Sequence, residues 1–64
     1  MLNVDIYFNE TCYEHIRIEN VIMVQSINNE LVILYKIESY DYRYTEIRKF
    51  SMNIIDYYLV GKHK

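Results

Sequence analysis

The sequence predicts a single, small, all-β domain: a five- to six-stranded antiparallel meander forming a curled sheet or small barrel, with a short helix possible near the C-terminus. Three observations predict it. Ile, Val, Tyr, Phe and Thr fill 27 of the 64 positions while Ala is absent and Leu contributes only four, and β-branched and aromatic side chains suit a pleated, half-buried surface better than a helix. Apolar residues alternate with polar ones over several short runs, the period of a strand with one covered face. Those runs are separated by Asn, Glu and Ser, the punctuation of turns.

Leu2 to Phe8 is the clearest element. Leu2, Val4, Ile6 and Phe8 take one face and Asn3, Asp5 and Tyr7 the other. Asn9 and Glu10 turn the chain into Thr11 to Ile18, where Ile16 and Ile18 share a face with Cys12, and Tyr13, His15 and Arg17 share the opposite one. Glu14 interrupts the apolar side, so this strand is expected to start frayed or at a sheet edge. Glu19 and Asn20 then separate it from Val21 to Ile27, which is apolar on both faces apart from Gln25 and Ser26 and reads as a central strand covered on both sides.

Asn28 and Asn29 read as a two-residue hairpin turn, because Asn tolerates positive φ. Such a turn sets Ile27 opposite Glu30, Val24 opposite Ile33 and Ile22 opposite Tyr35. The partner strand, Leu31 to Ile37, places Leu31, Ile33, Tyr35 and Ile37 on one face. Tyr40, Tyr42 and Tyr44 follow at every second position, which argues for an extended segment with the three rings on one side. Ile47 and Phe50 break that phase, and a bulge near Thr45 or Glu46 would account for it.

Ser51 to Val60 supports two readings. As a helix it has a Ser51 cap, a Met52, Ile55 and Leu59 stripe and a Gly61 stop. Its β-branched and aromatic content instead favours a short turn at Ser51 to Asn53 followed by a closing strand.

Composition also bounds function. Sixty-four residues make one domain, residues 1–64, near the lower size at which a core holds without disulfides, metal or a partner. One cysteine, Cys12, forms no internal disulfide, which points to a reducing, cytoplasmic setting. No segment approaches the roughly 18 apolar residues of a membrane span, and the N-terminus lacks the basic start of a signal peptide. Ile, Asn, Tyr and Lys are abundant while Ala, Pro and Gly together total one residue, a bias of AT-rich genomes that suits a phage or mobile element.

Catalytic, metal-binding and cofactor-binding residues are expected to be none. His15 and His63 lie at opposite ends of the chain, and Cys12 and His15 have opposite parity on a strand, so no thiol–imidazole pair or zinc spacing arises. Gly61 is the single glycine, which excludes a glycine-rich phosphate loop. Charge is uneven. Residues 1–34 hold five acids and one base for −4, and residues 35–64 hold four acids and six bases for +2.

What stands out is the interleaving of aromatic and basic residues, with Tyr40, Tyr42, Arg43, Tyr44, Arg48 and Lys49 as the candidate partner-binding set. Tyr and Arg are enriched at protein interfaces. The leading expectation is a non-enzymatic protein-interaction module from a phage or mobile element that binds, and thereby inhibits, a larger host protein, and that forms homo-oligomers. A small barrel that binds single-stranded nucleic acid by stacking and phosphate neutralisation is the alternative, weakened by Glu38, Asp41 and Glu46 in the same stretch. An oligomeric structural component of a phage particle is a third.

Overall fold

The structure is a computed structural model that describes residues 1–9 and 15–62. Its strands β1 (Leu2–Phe8), β2 (Ile16–Ile27), β3 (Glu30–Glu38), β4 (Arg43–Ser51) and β5 (Ile55–Lys62) form one antiparallel sheet in the order β4-β3-β2-β1-β5. The sheet is curled but not closed, so β4 and β5 are its two edges. Among the described residues the one helical element is the 3₁₀ turn Met52–Ile54.

The curl originates in β2. On its β1 side, Leu2 pairs with Val21 and Val4 with Ile18; on its β3 side, Val21 pairs with Tyr35 and Met23 with Leu34. Each ladder therefore gives β2 one extra residue, and the two bulges fall within a few positions of each other. Asn20, at φ 59°, occupies the left-handed conformation that Asn adopts more readily than most residues. The paired bulges let Ile18 and Val21, of opposite parity, both point inward, at 5% and 1% exposure.

The bend can be read from the hydrogen bonds. Twelve residues of straight strand would span roughly 40 Å at about 3.3 Å each. Yet the Asn9 N–H donates to Ile54 O and the Met52 N–H to Asn29 O, both at 2.9 Å, so one 3₁₀ turn reaches from the end of β1 to the hairpin that follows β2. The two ends of β2 must fold toward each other. Its first half pairs with β1 and its second with β3, giving two half-sheets that face one another across Val4, Ile6, Ile18, Val21, Leu31, Ile33 and Ile55. Phe8 and Phe50, from strands that are not neighbours, meet across the same space with ring centroids 6.0 Å apart.

The β2–β3 hairpin turns on Asn28 and Asn29 at φ 51° and 61°, the double positive φ of a type I′ turn. Ile27 faces Glu30 and Val24 faces Ile33, as the sequence predicts, but Val21 takes the place expected for Ile22 opposite Tyr35. The bulge at Ile22 is the reason. Nor do Glu19 and Asn20 separate two strands, because the chain continues through them as one bent strand. The expected start of this strand at Thr11 lies outside the described residues.

Two further expectations change. β2 is central in the sheet, but only its inner face is covered: Ile22, Met23 and Ile27 are 41%, 38% and 45% exposed. The β3–β4 ladder runs without a register shift from Glu38–Arg43 to Glu30–Ser51, so no bulge occurs at Thr45 or Glu46. Tyr44, Glu46, Arg48 and Phe50 share the face of Ile37, Tyr35, Ile33 and Leu31, and Ile47 stands on the other side. An apolar residue outside needs no phase change. From Ile55 the chain is strand, with helical character confined to the 3₁₀ turn that Ser51 caps by accepting from the Asn53 N–H at 3.2 Å.

The bend and its core can each be tested by substitution. Asn20→Gly should leave stability nearly unchanged, whereas Asn20→Val should lower it by about 1–2 kcal/mol through forced left-handed backbone; urea midpoints of the two variants read the difference. Ile33→Ala, at a fully buried site, should cost about 2–5 kcal/mol, enough to unfold much of a domain this small.

Candidate functional site

The aromatic and basic set from the sequence lies on the β3–β4 hairpin, and the pleat divides it. Tyr40 stands at the tip, fully exposed, in a turn closed by a hydrogen bond from the Ser39 N–H to Tyr42 O at 2.9 Å. Tyr42 and Tyr44 stack with centroids 5.4 Å apart and planes 22° from parallel. Arg48 lies on the same side as Tyr44, with its guanidinium 5.0 Å above the Phe50 ring. Arg43 and Lys49 alternate to the opposite, outer face. The structure thus brings Tyr42 and Tyr44 together and sets Arg43 and Lys49 on the other face from Tyr44 and Arg48.

Beside this group, the Tyr35 hydroxyl donates to Glu46 Oε2 at 2.7 Å. That bond to a carboxylate favours the neutral phenol, and with burial and the charge of Glu46 it raises the Tyr35 pKa above its ordinary value, against a smaller opposing effect of Arg48. The bond ties β3 to β4 directly across the ladder.

A more continuous surface lies on the outer face of β2, β3 and β4. Met23 pairs with Leu34, and Leu34 with Ile47, so three apolar side chains form one row across three strands. Ile22, Val32 and Ile27 extend it along the strands, and Ile47 is 57% exposed. Charged residues frame the row: Lys49 beside Val32, and Lys36 with Thr45 on the hairpin-tip side. This row escaped the sequence reading although its signal was present, since the register that sets Val24 against Ile33 also sets Met23 against Leu34. Treating β2 as covered on both faces hid it.

The other half-sheet carries an aromatic column on its outer face. Tyr57 of β5 stacks on Tyr7 of β1 with centroids 4.5 Å apart and an interplanar angle of 17°, and Tyr7 stacks on His15 at 4.5 Å and 5°. His15 Nε2 lies 2.7 Å from Asp5 Oδ1, and Arg17 Nε lies 4.0 Å from the same oxygen. Positions 5 and 15 become neighbours through the β1–β2 pairing of Asp5 with Arg17. The arrangement orients an imidazole on the surface, and the Asp5–Arg17 pair, at 4.0 Å with an exposed arginine, contributes only about 0–1 kcal/mol.

Among the described residues no three His, Cys, Asp or Glu side chains are grouped to hold a metal ion, and no helix is long and apolar enough to cross a membrane. Cys12 and His63 lie outside the described residues. Compared with known proteins, the chain matches no family model, no curated protein and no solved structure.

Tyr35 offers a titration that reports on the hairpin. Because its pKa is raised, the neutral phenol's contribution to stability is complete below the ordinary tyrosine value and is lost as pH climbs through the raised one. The phenolate absorbance difference between wild type and Tyr35→Phe should therefore appear above the ordinary range. Glu46→Gln should move it back down; an unchanged titration in that variant would show that the bond to Glu46 does not set it.

Proposed function

We propose that the chain is a non-enzymatic interaction module that covers a surface of a larger protein partner, and that in a phage or mobile element this occupancy inhibits a host protein. The observation that carries this reading is the outer apolar row Met23–Leu34–Ile47. Apolar side chains adjacent on three strands gain from being removed from water together, at about 25 cal/mol per Å², and contiguous exposed patches on small proteins mark interaction sites. Lys36 and Lys49 around the row supply the polar rim typical of such contacts.

A nucleic-acid interface would use rings and cations on one face, so that stacking and phosphate neutralisation act on the same strand. Here the pleat leaves one cation, Arg48, on the face of Tyr44 and turns the other two, Arg43 and Lys49, to the opposite face. That division supports the protein-binding reading over the nucleic-acid one.

Met23→Glu combined with Ile27→Lys tests the proposal away from the sheet edges, with the new lysine facing Glu30 across the hairpin. Both sites are exposed, so the stability read from urea unfolding should shift by no more than about 0.5 kcal/mol. Capture of a partner from host lysate by the immobilised chain, followed by titration of the identified protein, should weaken by at least about tenfold, or roughly 1.4 kcal/mol. Undiminished affinity would move the contact off this face. Binding of single-stranded oligonucleotides at low salt, falling steeply as salt is added, would favour the nucleic-acid reading instead.

A further inference from the structure

β4 is an edge strand guarded by charge alone, through Arg43, Glu46, Arg48 and Lys49. Natural sheet edges are otherwise kept short, bulged or interrupted by proline to prevent pairing with another chain. β4 runs for nine residues, pairs with β3 without a register shift, and the chain contains no proline. At the other edge, β5 shifts register between Tyr7 and Phe8, which leaves Asp56 in a bulge.

The free hydrogen-bonding groups of β4 can be assigned. The Ser39 N–H bonds to Tyr42 O at one end of the ladder and the Met52 N–H bonds to Asn29 O at the other. In an antiparallel pair, residues that exchange bonds alternate with residues that do not. Both ends give the same phase: even-numbered residues of β4 bond to β3, and Arg43, Thr45, Ile47, Lys49 and Ser51 direct their N–H and C=O groups to the open edge.

We propose that two copies of the chain pair β4 to β4, antiparallel, about a two-fold axis at Ile47. In this register every edge-directed residue meets an edge-directed residue: Ile47 meets Ile47, Thr45 meets Lys49 and Arg43 meets Ser51. On the core-side face Glu46 lies opposite Arg48 twice, once on each side of the axis, and Tyr44 lies opposite Phe50. Centring the pair one residue away would instead set Glu46 against Glu46 or Arg48 against Arg48, a like-charge contact that disfavours pairing. The strand is thus complementary to itself in one register. On the outer face the two Met23–Leu34–Ile47 rows would join at Ile47 into a single row of six side chains. The contact is isologous and closes at two subunits.

The dimer and the partner reading can fail separately, because the dimer's charge pair lies on the opposite face from Met23 and Ile27. Light-scattering mass of the wild type at micromolar concentration should be twice 7.9 kDa. Thr45→Pro deletes an N–H that faces the edge and no bond to β3, and should give a folded monomer. Glu46→Arg and Arg48→Glu should each be monomeric alone, with dimer affinity lowered by about tenfold or more from two like-charge contacts. Mixing the two variants should restore a heterodimer, since one copy then carries two cations at these positions and the other two carboxylates, and each cation faces a carboxylate. A monomeric wild type overturns the proposal. So does a dimer that survives Thr45→Pro and both charge variants, or a mixture that stays monomeric.

Discussion

A single strand serves two half-sheets, and the rest of the molecule depends on how it bends. A flat five-stranded sheet of this length would have no interior, since each of its faces would be open to water. By inserting two bulges into β2 within a few residues, the chain folds the sheet onto itself and creates a core from one of its own faces. Asn20 supplies the positive φ at the bend, and Val21 is turned inward as a consequence. The bend is then held at its open end by asparagines around the 3₁₀ turn: Asn9 donates to Asn53 O at 2.8 Å and Asn29 to Asn53 Oδ1 at 3.0 Å. Each such bond contributes only about 1 kcal/mol net, but together they connect the ends of both half-sheets to one short segment.

This construction explains why so much apolar surface remains outside. A curled sheet can cover its concave face with its own side chains, and among the described residues no second layer covers the convex one. Among the described residues seven hydrophobic side chains are buried, while Ile22, Met23, Ile27, Ile47 and Leu59 stay exposed. The geometry that limits the core is therefore also what leaves an exposed apolar surface. Alternation assigns the roles within each strand: in β3, Leu31 and Ile33 hold the core, and Val32 and Leu34 form part of the outer row.

The fold was largely legible from local signals because its regular parts are local. β1 alternates cleanly, the Asn28–Asn29 turn sets its own register, and the β-branched content after Ile54 outweighs the helix stop at Gly61. The bend was not legible, for a bulge is a compromise between two neighbouring ladders, and neither neighbour is visible in the residues of β2. Ile22 and Val21 exchange roles on that account alone. Ile47 misled for a different reason: hydrophobicity reports what a residue prefers, not whether the fold has room to bury it. The aromatic and basic set was found as residues but not as a surface, because periodicity of two places neighbours in sequence on opposite faces. Asp5 and His15 meet only through the β1–β2 pairing, which sequence spacing does not reveal.

The position of β4 ties these features together. As the last strand before the 3₁₀ turn it cannot pair with β5, because the turn carries the chain across the end of the sheet to β1, and the edge that results belongs to a ladder with no register shift. A regular edge arises here because the bulges fall in β2 and β5 and none falls in the β3–β4 ladder. Such an edge presents its donors and acceptors on every second residue in a single register. The chain thus gains its interior from the distortion of β2 and keeps in β4 an edge suited to pairing, and the outer apolar row stands at right angles to that edge, where Ile47 belongs to both.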